Sequence, residues 1–199
     1  MNTLKQKTLN KDTREAILDA AESIIQTYGA NGISYQTISD IVQIRKASIH
    51  YHFPTKEKLI EDLVRRYSLR FLALVDGFID SPLSAPTKLE RYIALFEQTL
   101  EDRSGMKVCL CGMLGAELAS MGSPTVKILR NFYSENIDRL ARILEAGRKA
   151  GALKFNGDAE ALGGLIFSLL EGAMIIARAA DGVDQFRSIR KQLLKIIKA

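Results

Sequence analysis

The sequence predicts an all-α protein of nine helices, with a compact three-helix head before a larger helical body. Three observations support this fold class. Apolar residues recur at spacings of three and four along nearly the whole chain, no stretch alternates apolar and polar residues as a strand would, and glycine or proline separates the apolar stripes. With 199 residues, 47% of them hydrophobic, the chain is long enough to bury a core.

The first helix is predicted to start at Asp12, which forms a capping-box-like pair with Glu15, and to end before Gly29 and Gly32. Its inner stripe comprises Ile17, Ala21, Ile24, Ile25 and Tyr28.

Two short helices and one long helix come next. Ser34 caps the second helix, the third runs from about Lys46 to His52, and Thr55 caps a fourth that extends to about Ile79. The inner positions predicted for the short helices are Ile38, Ile41 and Val42 in the second and Ile49 with Phe53 in the third.

Glycine and proline divide the rest of the chain into five more helices. Their predicted ranges are Pro86 to about Asp102, about Met106 to Met121, Pro124 to Ala150, Ala159 to about Ala180, and about Asp184 to Lys198. The predicted division is therefore a head over residues 1–55 and a body over residues 56–199, with the fourth helix, about residues 56–79, joining them.

The second and third helices have the lengths and the tight turn of a helix-turn-helix, whose later helix enters the major groove of DNA. With Ile49 and Phe53 turned inward, the rest of the third helix is rich in hydrogen-bonding groups and has no acidic residue. These outward residues are Lys46, Ala47, Ser48, His50, Tyr51 and His52.

The segment Ile41 to Leu59, IVQIRKASIHYHFPTKEKL, resembles the head of TetR/AcrR-type transcriptional regulators, and the resemblance extends over about Asp12 to Leu63. It implies a nine-helix dimer that binds double-stranded operator DNA, most often as a repressor. By position, it assigns DNA contacts to Gln36, Thr37, Arg45, Lys46, Ala47, Ser48, His50, Tyr51, His52 and Lys56, with Lys56 at a helix N-terminus that favours phosphate.

Three positions depart from the family pattern. His50 stands where a tyrosine is usual, so the operator sequence does not follow from that of relatives. Gln43 stands where a glycine is usual in the turn, so it must adopt a positive φ or shift the turn. Arg45 replaces the usual serine cap of the third helix, which gives up the cap and adds a cation for a phosphate or guanine.

The resemblance also implies a small apolar or amphipathic effector in the body. We expect its site among apolar residues of the body, with Glu117, Arg139 and Glu171 as the polar candidates. The alternative for most of these apolar residues is that they only form the hydrophobic core. The predicted effector-site residues are Phe71, Leu74, Phe78, Phe96, Cys109, Met113, Glu117, Phe132 and Tyr133.

By the same resemblance, the last two helices would form the dimer interface. The eighth helix is apolar on every side, as a helix at an interface can be. The alternative is a fully buried core helix in a monomer. The predicted interface residues are Leu162, Leu165, Ile166, Leu169, Leu193 and Ile196.

Composition limits the other function classes. The net charge of +5 permits an anionic partner, but residues 186–199 hold five basic and no acidic side chains, so we expect a packed basic terminal helix there in preference to a membrane-binding one. Cys109 and Cys111 fit a reducing cytoplasm and a buried role better than a redox sensor.

We expect no cofactor, no metal, no catalytic residue and no membrane span, since Glu171 interrupts the longest apolar stretch. The alternative function is a helical small-molecule-binding protein or enzyme with a vestigial head.

Overall fold

The computed structural model describes residues 2–102, 107–180 and 182–197. Within these ranges it contains nine α-helices, two short 3-10 turns and no β-strand, as the sequence predicts. The helices are α1 (Asn2–Tyr28), α2 (Tyr35–Val42), α3 (Lys46–His52), α4 (Lys56–Ile79), α5 (Ala85–Leu100), α6 (Leu110–Ala116), α7 (Ser123–Lys149), α8 (Ala159–Ala179) and α9 (Val183–Ile197).

Polar caps define several of these starts. Ser34 accepts a hydrogen bond from the Thr37 amide at 3.0 Å, and Asp158 accepts one from the Ala161 amide at 2.8 Å. Each cap satisfies an amide that the first helical turn leaves free. These starts agree with the sequence prediction to within about one residue.

The start predicted at Asp12 is wrong, because α1 begins at Asn2 and continues through that position. No glycine or proline interrupts residues 2–12, so nothing in this segment makes the helix begin at the capping-box pair.

Two residues that were predicted to face the core are exposed. Tyr28 lies at the end of α1, and Ile41 lies on the outer side of α2.

The sixth helix is much shorter than predicted. Residues 107–109 are not helical, α6 spans Leu110–Ala116, and a separate 3-10 turn follows at Leu118–Ser120. The predicted start near Met106 and the end of the last helix at Lys198 lie outside the described residues. Two glycines within the seven-residue α6 weaken its tendency to continue.

The head consists of α1, α2 and α3, and α4 runs from the head into the body. In the body, α7 packs extensively on both α4 and α8, while α5 and α9 pack against each other and against α8. Gly163 allows the close approach of α7 and α8, since a Cβ there would lie 2.9 Å from the Ile137 carbonyl oxygen.

The basic terminal helix packs as expected. Phe186, Leu193 and Ile197 of α9 are buried, and Arg187 and Arg190 both bind the Glu97 carboxylate of α5 at 2.7 Å. Two of the cations of this segment are thus paired within the chain.

The helix α8 has the length and hydropathy of a membrane span, with 21 residues and a mean hydropathy of 1.7 in its most apolar window. Its buried face, which includes Ile166, Leu170 and Ala177, packs in the helical body. The core helix of a bundle has the same composition.

Candidate nucleic-acid interface and body cavity

The turn between α2 and α3 is built around Gln43, which adopts the left-handed conformation with φ 59° and ψ 44°. Of the two outcomes that the sequence allows, the positive φ is therefore the one observed. The Gln43 side-chain amide donates to the Asp40 carbonyl at 2.5 Å, and the Ser39 hydroxyl donates to the Ile44 carbonyl at 2.6 Å. These bonds fix the direction in which α3 leaves the turn.

The helix α3 is held to the head by its apolar side. Ile49 and Phe53 are fully buried, as predicted. The Tyr35 hydroxyl donates to the Phe53 carbonyl at 2.6 Å, its ring contacts His50, and the Arg14 guanidinium lies 5.1 Å from the centre of the Phe53 ring. Neither Tyr35 nor Arg14 belongs to the predicted set, and in the sequence only Tyr35 carries a signal, because its aromatic hydroxyl directly follows the Ser34 cap.

The opposite side of α3 faces solvent and contains no acidic residue. Arg45 takes the N-cap position without a side-chain hydrogen bond, as predicted for a residue that replaces a serine cap. The exposed residues of the predicted DNA-contact set are Gln36, Arg45, Lys46, Ala47, His50 and Tyr51, and the half-buried ones are Thr37, Ser48, His52 and Lys56.

His52 differs from the other basic residues of this surface. Its partial burial and the neighbouring Arg14 charge lower the pKa of its imidazole. A histidine with a lowered pKa is neutral at pH 7, so His52 offers a hydrogen bond and not a positive charge.

The N-terminus of α4 lies beside this surface and already holds an acid. The Thr55 hydroxyl accepts from the Lys58 amide at 3.1 Å, and the pKa of Glu57 is lowered by its own backbone amide and by the Thr55 hydroxyl. A carboxylate in the first helical turn is stabilised by the same amides that would hold a phosphate. Lys56 is therefore the phosphate-binding candidate here, with Glu57 as its competitor.

An ion-pair network connects α4 to the head. Arg66 binds Glu15 and Asp19 of α1 at 2.8 Å and Glu22 at 3.0 Å. Arg14 of α1 also binds Asp62 of α4 at 2.9 Å. The pair of Arg66 with Glu22 is the least exposed to solvent and therefore the least screened, and the network as a whole joins α1 to α4.

Four of the predicted effector-site residues belong to one aromatic cluster in the body. Phe71 is its centre, with ring centroids 5.4 Å from Phe132 and 5.9 Å from Phe96, and Tyr133 lies 6.2 Å from Phe132. The other rings of the cluster, which the prediction did not include, are Tyr67, Tyr92 and Phe167.

A cavity of about 240 Å³ adjoins this cluster between α1, α4 and α5, with Tyr67, Phe71 and Leu74 on its wall. Leu74 is half exposed at this cavity.

Three other residues predicted for the effector site contact groups outside the aromatic cluster. Phe78 lies under the Arg91 guanidinium at the far end of α4, outside the aromatic cluster. Glu117 points to the head, where its Oε1 accepts from the Ala30 amide at 3.1 Å. Arg139 binds Asp76 at 2.8 Å and also Glu135, so it is not free to hold a ligand. For these three, the place in an effector site stays a prediction, and their observed contacts lie outside the aromatic cluster.

Met113 and the two cysteines lie on or next to α6. The Arg178 guanidinium contacts the Met113 sulfur at 3.7 Å, and the Tyr67 hydroxyl donates to the Cys109 sulfur at 3.7 Å. Burial raises the pKa of both thiols, Cys109 and Cys111. Since the thiolate is the reactive form, this favours the core role over the sensor.

The predicted dimer residues divide into two groups. Leu165, Leu169 and Ile196 are exposed and Leu162 is half-buried, whereas Ile166 and Leu193 are buried within the chain. Ile166 and Leu193 point toward the body core, so in this chain they are packed as core residues. Ile176, which the prediction left out, is 56% exposed on the same side of α8 as Leu165 and Leu169.

In the part of the chain that the structure describes, no three His, Cys, Asp or Glu side chains come close enough together to hold a metal ion. His50 and His52 face different neighbours, Tyr35 and Phe53.

Comparison with known proteins gives the same picture for both parts of the chain. Residues 17–63 match the model of bacterial regulatory proteins of the tetR family, and residues 85–192 match the C-terminal domain of LmrA/YxaF-like transcriptional regulators. The HTH-type transcriptional repressor NemR of Escherichia coli (strain K12) is 21% identical over 194 residues, which is 96% of each chain.

Two solved structures are similar along almost their whole length. A TetR-family transcriptional regulator from Agrobacterium tumefaciens is 30% identical with a TM-score of 0.90, covering 96% of this chain and 100% of that one. A TetR transcriptional regulator from Legionella pneumophila is 28% identical with a TM-score of 0.82, covering 92% of this chain and 96% of that one.

Proposed function

Because the chain belongs to the TetR family of bacterial regulatory proteins and is a DNA-binding transcriptional regulator, we propose that it is a repressor that works as a homodimer. Its operator is double-stranded, near-palindromic DNA in the cytoplasm, and a small molecule bound in the body releases it. The similarity to NemR, which is named a repressor, supports the direction of regulation.

The observation that carries the proposal is the outer side of α3. Lys46, Ala47, His50 and Tyr51 are exposed together on a helix that Ile49 and Phe53 fix to the head, and no acidic residue on α3 repels phosphate. A helix presented in this way enters the major groove. Lys46 and Arg45 would bind phosphate or guanine, and the small Ala47 lets the helix approach the base edges.

A dimer supplies two such helices. We propose that α8 provides its main contact, since Leu165, Leu169 and Ile176 stand on one exposed stripe. Two-fold symmetry then requires operator half-sites about 34 to 36 Å apart or a multiple of that distance.

Release follows from the way in which the head is attached. The α4 helix contributes Tyr67 and Phe71 to the body cavity and Arg66 to the ion pairs with α1. A ligand that binds better when α4 is displaced would therefore move the heads apart. A preference of about 1.4 kcal/mol for that state weakens DNA binding tenfold.

Selection from random duplex DNA by the purified protein, followed by fluorescence anisotropy on the selected duplex, tests the proposal. Affinity should fall steeply with salt, because each neutralised phosphate releases counterions. The K46A/Y51A double variant should bind at least about 100-fold more weakly, since each lost contact in each subunit costs about 1 to 3 kcal/mol.

The matched control is K127A/Y28A, which removes one lysine on α7 and one exposed tyrosine at the end of α1, both outside α3. It should bind like the unaltered protein. Binding that is absent, independent of salt or unaffected by K46A/Y51A would favour the ligand-binding protein or enzyme with a vestigial head.

A further inference from the structure

The side chain of Glu171 on α8 places an unpaired carboxyl group in the body. Its Oε1 atom is buried and has no hydrogen-bond partner among the described residues. The Cys109 thiol donates to the carboxyl group, and Oε2 lies against Gly112, where a Cβ would be only 2.2 Å away. A buried carboxylate without a cation is costly, so this group is an unusual feature for a structural core.

Two arginines on α7 and α8 bind other groups. Arg139 on α7 binds Asp76 and Glu135, and Arg178, two turns after Glu171 on α8, contacts the Thr27 carbonyl and the Met113 sulfur. None of the ion pairs between described residues includes Glu171. Its ionised form therefore has no cationic side chain paired with it in the described part of the chain.

The surroundings are aromatic, and their hydroxyl groups are also committed. Phe167 lies one turn before Glu171 on the same face of α8, and its ring centroid is 5.9 Å from that of Tyr133. The Tyr133 hydroxyl donates to the Cys111 carbonyl at 2.6 Å, and the Tyr67 hydroxyl donates to the Cys109 sulfur. The groups without a hydrogen-bond partner that a ligand could contact here are Glu171 Oε1 and the aromatic rings of these residues.

The negative charge of Glu171 affects titratable groups on several neighbouring helices. Burial raises the pKa of five neighbouring groups, and the Glu171 charge adds to the increase in each. They are Tyr67 on α4, Tyr92 on α5, Cys109 and Cys111 beside or on α6, and Tyr133 on α7. An anionic ligand is disfavoured at such a position and a cationic one is favoured.

Resting on the proposed function, we propose that the effector of this regulator is a small organic cation whose ammonium group pairs with Glu171 Oε1 among the rings of Tyr67, Tyr133 and Phe167. A carboxylate with aromatic rings is the combination that recognises substituted ammonium groups. Tyr67 belongs both to these rings and to the wall of the cavity of about 240 Å³, whereas Glu171, Tyr133 and Phe167 do not line that cavity, so the rest of the ligand would reach it past Tyr67.

The cation should bind in a pH-dependent way. Burial raises the pKa of Glu171 to about 7, and only its ionised form attracts a cation. The tyrosines and cysteines that face it have raised pKa values and stay neutral between pH 6 and 8. The ionised fraction of Glu171 therefore rises about tenfold from pH 6 to pH 8, and the affinity for a permanent cation rises with it.

Calorimetric titration of the full-length protein with benzyltrimethylammonium tests the proposal, with neopentylbenzene as the uncharged probe of the same shape. The cation should bind about tenfold more tightly at pH 8 than at pH 6 and at least tenfold more tightly than the uncharged probe. The E171Q variant should lose at least tenfold in affinity for the cation and lose its pH dependence. The E160Q variant, altered at an exposed acid of the same helix, should behave like the unaltered protein.

The idea is wrong if the unaltered protein does not bind the cation, if E171Q binds it equally well, or if both probes bind alike. Operator binding by E171Q without ligand, measured by anisotropy, separates this inference from the proposed function. E171Q should bind operator normally, whereas a protein that binds no duplex contradicts the proposed function itself. A thermal unfolding curve of E171Q confirms that the variant is folded.

Discussion

Gln43 shows how one residue sets the position of the whole recognition helix. It is the only residue other than glycine with a positive φ in the described part of the chain. The left-handed conformation costs a residue with a Cβ roughly 1 to 2 kcal/mol. The hydrogen bond from the Gln43 side-chain amide to the Asp40 carbonyl offsets part of this cost, so the turn is strained and still well defined.

Replacing Gln43 by glycine should stabilise the protein. We expect Q43G to raise the free energy of unfolding by about 1 kcal/mol and the melting temperature by about 2 to 4 °C, because glycine adopts this φ without strain. Thermal unfolding of the purified variant measures both. The control Q192G makes the same change at an exposed position within α9, where it should destabilise by about 1 kcal/mol. A lower melting temperature for Q43G would mean that the Asp40 bond outweighs the backbone strain.

At the scale of elements, α6 connects the body cluster to the head. Cys109 and Gly112 at its beginning contact Glu171, and Glu117 just after its end holds the Ala30 amide. The Val108 amide adds a bond to the Gln26 carbonyl of α1 at 3.2 Å. A displacement of this short helix therefore reaches the end of α1 directly, independently of the route through α4.

Removing the Glu117 carboxylate should loosen this junction. We expect E117A to expose the Ala30 amide to faster hydrogen exchange and to lower the free energy of unfolding by about 1 to 3 kcal/mol, the cost of leaving a buried amide without an acceptor. Hydrogen exchange read by mass spectrometry on the segment 26–34, with a thermal unfolding curve, measures both effects.

The variant E117Q keeps an acceptor oxygen and should restore most of the protection, while E160A, at an exposed acid of α8, should change neither quantity. Unaltered exchange at Ala30 in E117A would show that Glu117 does not hold the head in solution.

At the scale of the whole molecule, the exposed stripe of α8 is an apolar surface that no other described part of the chain covers. Leu165 is 65% exposed, Ile176 is 56% exposed, and Gly172 between them faces open space. A small residue in the middle of such a stripe lets two helices approach closely. The stripe suits a second copy of the chain, as proposed for the homodimer.

Introducing charge into this stripe should separate the subunits. We expect L165R/L169R to sediment as a monomer in analytical ultracentrifugation and to bind operator much more weakly, because two heads no longer bind as one unit. The control L69R alters an equally exposed leucine on α4 and should remain a dimer. A persistent dimer of L165R/L169R would place the interface elsewhere.

Much of the fold could be predicted from the sequence, together with the solvent-facing side of α3. Helix periodicity, the Ser34 and Thr55 caps and the inward positions Ile49 and Phe53 are local signals, and all are confirmed. The start of α1 and the length of α6 were wrong for equally local reasons, since a capping motif does not end a helix that can continue and glycines shorten a weak one.

The body could be predicted only as a set of apolar stripes. Which apolar residue meets which depends on how helices rotate against one another, and nothing in the spacing of Phe78 or Glu117 reveals that rotation. The sequence alone therefore determined the helical head and the exposed side of α3 proposed to contact DNA, because both depend on contacts near in the chain. Only the tertiary structure decided that Arg139 is paired, that Glu117 reaches the head and that Glu171 Oε1 is buried without a hydrogen-bond partner among the described residues, because these depend on contacts between distant segments.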